Sequence, residues 1–183
     1  MTSDLHLPEA GAPTAAAVVL HPHPGMGGDR HHPLVVAVAE GLAARGVAAL
    51  RPDLTDPTLD GSAARLEDLA AGLIADTGVD RLVLVGYSWG AAVSARAEPA
   101  RLERRALVAP PAGMMDVTIT GTAPALLLVP AHDQYGPPDA VETAFGSRPF
   151  TTIEIVDGTD HFLAGAVAGI ARRVVEWVTA DDG

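Results

Sequence analysis

The sequence predicts an α/β domain built in three layers, α/β/α, around a mainly parallel sheet of about six or seven strands. Three observations lead there. Apolar runs rich in β-branched residues and leucine recur without polar alternation, as in strands covered on both faces. Patterns with helical spacing lie between them, and the two kinds alternate, which calls for right-handed crossovers. The 183 residues and a 48% hydrophobic content suit one domain, and residues 1–183 are read as such.

The strand candidates are Ala17 to Leu20, Val47 to Leu50, Leu82 to Val85, Ala106 to Val108, Leu126 to Val129 and Ile153 to Val156. The first helix has Pro33 near its start, Leu34, Val38 and Leu42 on one face, and Gly46 where a C-terminal turn wants positive φ. A second is expected to open at Ser62 as N-cap, carry Leu66, Leu69 and Leu73, and end at Gly78. Between strand and helix, Asp53 to Gly61 reads as a turn-rich surface loop. A third helix follows Ser88 and is lined by Gly90, Ala91, Ala92, Ser94 and Ala95, small enough to lie close to a sheet. Pro137 and Pro138 start a fourth that reaches Phe145, and Val167, Ile170, Ala171, Val174 and Val178 mark a fifth.

Twelve Lys and Arg against 23 Asp and Glu leave a formal net charge of −11, which repels phosphate backbones and anionic lipid surfaces. No nucleic acid and no membrane partner are therefore expected. The absence of cysteine removes disulfides, thiolate metal sites and cysteine nucleophiles. The opening MTSDLHLPEAGAPT lacks a basic start and a long apolar segment, so a cytoplasmic protein is expected. A homodimer stays open.

Gly86, Tyr87, Ser88, Trp89 and Gly90 form G-x-S-x-G between a strand and a small-residue helix. A serine on such a sharp turn is presented clear of the sheet, and bulk at either flanking position would collide with strand or helix. Serine needs a base, and the base an orienting acid, expected later in the chain at the ends of later strands. Asp133, in PAHDQYG, and His161, in DGTDHFLAG, fall there; Asp53 is the alternative acid, and Asp160 is poorly placed beside His161. The oxyanion needs two donors. Trp89 N–H is one candidate, and the loop HPHPGMGGD offers the second from His23, Gly25 or Met26, because Pro22 and Pro24 have no N–H.

These motifs resemble the α/β-hydrolase superfamily from about Ala15 onward. HPHP looks like its H-G-x-P loop, and the resemblance implies His23 as the oxyanion residue, with Met26 as the other candidate. HPHPGMGG, GYSWG and GTDHF together look most like small lidless hydrolases near the dienelactone hydrolases. Two departures stand out. Dienelactone hydrolases use a cysteine nucleophile, and relatives often have glycine before the acid where this chain reads AHDQYG. The resemblance implies a serine hydrolase without a cap domain, since the connection from Ala109 to Ala123 is too short for one.

Ser88, Asp133 and His161 thus point to cleavage of a carboxylic ester or thioester of a small or protruding acyl group through an acyl-enzyme, with no cofactor and a small-molecule ester as partner. The rival is a non-catalytic hydrolase fold that binds a ligand or protein partner. A metal site among His21, His23, His31 and His32 is not expected, since H-x-H and H-H on a loop lack helix-fixed geometry. Gly25, Gly27 and Gly28 make a poor phosphate cradle, because Arg30 stands where a third glycine belongs.

Overall fold

The computed structural model describes residues 2–180. In chain order it contains β1 (Ser3–His6), β2 (Ala15–Leu20), α1 (Pro33–Ala43), β3 (Val47–Pro52), α2 (Leu59–Thr77), β4 (Leu82–Tyr87) and α3 (Trp89–Arg96). Then follow β5 (Leu102–Val108), β6 (Ala125–His132), α4 (Pro138–Phe145), β7 (Thr151–Asp160) and α5 (Val167–Val178). The strands form one seven-stranded sheet in the order β1-β3-β2-β4-β5-β6-β7. Only β1 runs antiparallel; every other neighbour pair is parallel.

Alternation along each buried strand divides the core. Ala15, Ala17 and Val19 of β2 face α1 and α5, where Leu34, Val38, Leu42, Ile170 and Val174 cover them. Ala16, Val18 and Leu20 face the other way, onto Leu66, Ala70 and Leu73 of α2 and Val93 of α3. Farther along that second face, Ala91, Ala92 and Ala95 of α3 and Val141 and Phe145 of α4 cover Leu107 and Leu127. With both faces covered, the strands have no polar side to show, which is why they read as continuous apolar runs.

Two local expectations are corrected. The second helix begins at Leu59, not after Ser62, and Thr58 caps it by accepting from Gly61 N–H at 3.2 Å. Ser62 is buried one turn in, and its hydroxyl donates to the Asp56 carbonyl at 2.8 Å. The Asp53 to Gly61 stretch is therefore only partly a surface loop, because Leu59 to Gly61 are helical and Leu54 is buried in the core.

The strand β1 was not foreseen from sequence. SDLH is short, and its residues alternate between exposed and half-buried at the sheet edge. Ion pairs hold it there: Arg30 Nε and Arg51 Nη2 meet Asp4 at 3.1 and 3.3 Å. Among the described residues no helix is long and apolar enough to cross a membrane.

From β2 the chain crosses to β3 on one side and then to β4 on the other. The carboxyl ends of β2 and β4 thus flank the switch point where open α/β sheets leave a crevice. The loop after β2 and the turn after β4 both open onto it.

Candidate active site

The turn after β4 presents Ser88 with φ 54° and ψ −115°, a strained conformation for a residue with a side chain. Its N–H donates to the Val108 carbonyl at 2.9 Å, which anchors the turn to β5. A Cβ at position 86 would overlap the Gly90 carbonyl oxygen, and one at position 90 would lie 2.7 Å from the Leu20 and His21 carbonyl oxygens. Both glycines are required because helix, turn and β2 meet backbone to backbone.

Asp133 stands just after β6 and His161 just after β7, at the same sheet end as Ser88. Ser88 Oγ lies 2.8 Å from His161 Nε2, and His161 Nδ1 lies 2.9 Å from both Asp133 carboxylate oxygens. A carboxylate can only accept, so Nδ1 carries the ring proton and Nε2 is left to accept from the serine hydroxyl. Asp133 also accepts from Tyr135 N–H at 2.8 Å and Gly136 N–H at 2.9 Å. Burial would push its carboxyl up, but the His161 bond and these two amides outweigh it and hold Asp133 below the ordinary carboxylate value. The acid is thus kept ionised beside the imidazole.

Asp53 serves elsewhere. It pairs with Arg30 and accepts from Thr2 Oγ1 at 2.7 Å and Arg30 N–H at 2.9 Å. Asp160 accepts from Phe162 N–H at 3.0 Å and so shapes the turn that carries His161.

The loop after β2 is pinned by His21, which is buried with both ring nitrogens engaged. Nε2 accepts from Leu54 N–H at 2.9 Å, so Nδ1 donates to the Pro22 carbonyl at 2.6 Å. Met26 is corrected as an oxyanion donor: its N–H is spent on the His23 carbonyl at 3.0 Å within a short 3₁₀ turn, Pro24–Met26. Gly25 N–H is likewise spent on His23 Nδ1 at 3.0 Å. The amides of His23 and Trp89 have no hydrogen-bond partner among the described residues, and both residues line the cavity that holds Ser88. That cavity measures about 380 Å³.

Met26, Met114 and Phe162, each more than half exposed, stand at its rim. No Asp, Glu, Lys or Arg lines it among the described residues. A depression of about 530 Å³ beside His6 and Glu40 lies elsewhere and offers no hydroxyl. Among the described residues no group of three or more His, Asp or Glu is placed to hold a metal ion.

Sequence reasoning missed three supporting residues. Tyr87 is buried and donates its hydroxyl to the His161 carbonyl at 2.8 Å. Its place as the free position of G-x-S-x-G gives no signal for this. The Tyr135 ring meets the His161 ring edge-on at 4.6 Å. At Gly136, whose amide holds Asp133, any Cβ would overlap the Pro110 carbonyl oxygen.

The sequence matches a model described as the alpha/beta hydrolase family over residues 17–182. No curated protein matches it in sequence. A Xanthomonas campestris α/β serine hydrolase described as without lid is similar in structure, with 25% identity and a TM-score of 0.81 over 98% of this chain and 90% of that one. An α/β serine hydrolase homologue from Coxiella burnetii superposes with a TM-score of 0.81 at 18% identity, over 97% of this chain and 91% of that one. Est1E from Butyrivibrio proteoclasticus gives 0.81 at 16%, over 96% and 91%.

Proposed function

Because the chain belongs to the alpha/beta hydrolase family, we propose that it is a serine hydrolase acting on a neutral carboxylic ester or thioester of a small or protruding acyl group. The observation that carries this reading is the relay from Ser88 Oγ through His161 to Asp133. Ser88 attacks the carbonyl carbon while its proton passes to His161 Nε2, and Asp133 steadies the resulting imidazolium. The tetrahedral oxyanion is received by the His23 and Trp89 amides; one such donor is typically worth about 10²- to 10³-fold in rate. As the carbon–oxygen or carbon–sulfur bond breaks, the imidazolium protonates the leaving alcohol or thiol, and the acyl group stays on Ser88. Water then attacks the acyl-enzyme, giving its proton to His161, and the serine is restored as the acid departs.

The lining holds much apolar surface and no Lys or Arg among the described residues, which supports an uncharged acyl group, since no fixed cation there would pair with a carboxylate or phosphate. The short connection between β5 and β6 leaves the serine open to solvent on one side, which favours water over another acceptor. Ser88→Ala should lower turnover of short p-nitrophenyl esters by about 10⁶-fold, as loss of a triad serine does elsewhere. Activity that survived in this variant would refute the assignment.

A further inference from the structure

The cavity around Ser88 holds a second kind of polar group that the relay does not use. His32 caps α1, its Nδ1 accepting from Leu34 N–H at 3.3 Å. With that nitrogen accepting, the neutral ring carries its proton on Nε2. No partner for Nε2 occurs among the described residues. The ring packs 4.9 Å from that of Tyr87, whose hydroxyl holds the His161 carbonyl, so it is fixed against the catalytic elements. His32 is half-buried and lines the same cavity as Ser88 and His161. Burial pushes its imidazole down from the ordinary value, against the pull of Asp29, so at neutral pH it is an uncharged donor.

Resting on the serine-hydrolase reading above, we propose that His32 is a specificity-determining residue: its Nε2–H donates to a neutral acceptor oxygen of the substrate, other than the scissile carbonyl. The preferred substrate is then an apolar ester that carries an ether, hydroxyl or carbonyl oxygen within reach of His32. The surroundings give the donor its selectivity. Met26, Trp89, Pro111, Met114 and Phe162 supply apolar surface along the same cavity. Once an ester covers this wall and displaces water, a fixed N–H has only the substrate to bond. A substrate with carbon at that point leaves the donor unpaired, and sites built to bond an oxygen discriminate strongly against analogues lacking it. An anion gains little, because the donor is uncharged and no Lys or Arg lines the cavity among the described residues.

The test compares isosteric pairs in wild type, His32→Asn and His32→Phe. Asn keeps an oxygen to cap α1, and Phe keeps a ring against Tyr87. One pair places the oxygen in the acyl part, p-nitrophenyl 3-methoxypropanoate against p-nitrophenyl pentanoate. The other places it in the alcohol part, 2-methoxyethyl butyrate against butyl butyrate. Each kcat/KM is corrected for the intrinsic reactivity of the ester toward hydroxide. Wild type should favour the oxygen-bearing member of at least one pair by about tenfold; His32→Phe, which has no donor, should lose that preference and His32→Asn, whose shorter amide still carries an N–H, should weaken it, both still turning over the all-carbon ester. A preference that is absent in wild type, or unchanged in the folded His32→Phe variant, overturns the proposal. Ser88→Ala is run alongside. Turnover surviving there refutes the serine reading itself, whereas a silent Ser88→Ala with an unaltered preference removes only the role of His32.

Discussion

The side chains that matter here differ in how they are held, and each predicts its own failure. Asp133 keeps a depressed pKa because three donors stabilise its charge against burial. A carboxyl lowered on folding contributes stability that is fully present above its unfolded value, 3.8, and is lost as pH falls through the folded value. The stability gap between wild type and Asp133→Asn, followed by urea melts, should therefore shrink as pH falls below about 4. The same variant should lose about 10⁴-fold in kcat at neutral pH, because the amide no longer enforces the productive tautomer. Tyr87→Phe strips the His161 carbonyl of its buried donor, and should cost about 1–3 kcal/mol and lower kcat through a looser imidazole. The trio Ser88, Asp133 and His161 could be picked out because each follows an apolar run that predicts a strand end. Tyr87, His32 and Gly136 could not, since what they do depends on neighbours distant in sequence.

At the scale of elements, close approach governs. Gly86→Ala should fail to give active protein, as its methyl would overlap the Gly90 carbonyl oxygen at the start of α3. Gly72, on the exposed face of α2, has nothing within 4 Å of an added Cβ. Gly72→Ala should therefore raise stability by about 1 kcal/mol in a thermal or urea melt, with activity unchanged. The paired variants separate a glycine kept for space from one that merely weakens a helix. Strands and helices of the core were legible because period and punctuation agreed, as at α5, where the apolar positions span Val167–Val178. Agreement broke at α2. Ser62 resembles an N-cap in sequence, but Asp56 accepts from Thr58 and sets the cap four residues earlier, leaving Ser62 to bond back into the loop. Edge strand β1 gave no apolar run to read, because half of it faces water and charged groups secure it.

Across the whole molecule, the doubly covered sheet follows from strands that alternate their side chains between two helical layers. Its switch point gathers the loop after β2 and the turn after β4, and the ends of β6 and β7 bring the remaining groups to the same edge. The net charge of −11 acts over this entire surface. A carboxylate-bearing ester should be a poorer substrate than its neutral isostere, and added salt should narrow the gap in kcat/KM as screening shortens the reach of the field. A gap insensitive to ionic strength would place the discrimination in the cavity alone. The central claim, that Ser88 is the activated nucleophile, is tested most directly by treating the folded protein with a fluorophosphonate and mapping the adduct by mass spectrometry. One adduct per chain on Ser88, abolished in Ser88→Ala and slowed greatly in His161→Ala, is the predicted result; no adduct, or one on another residue, contradicts it.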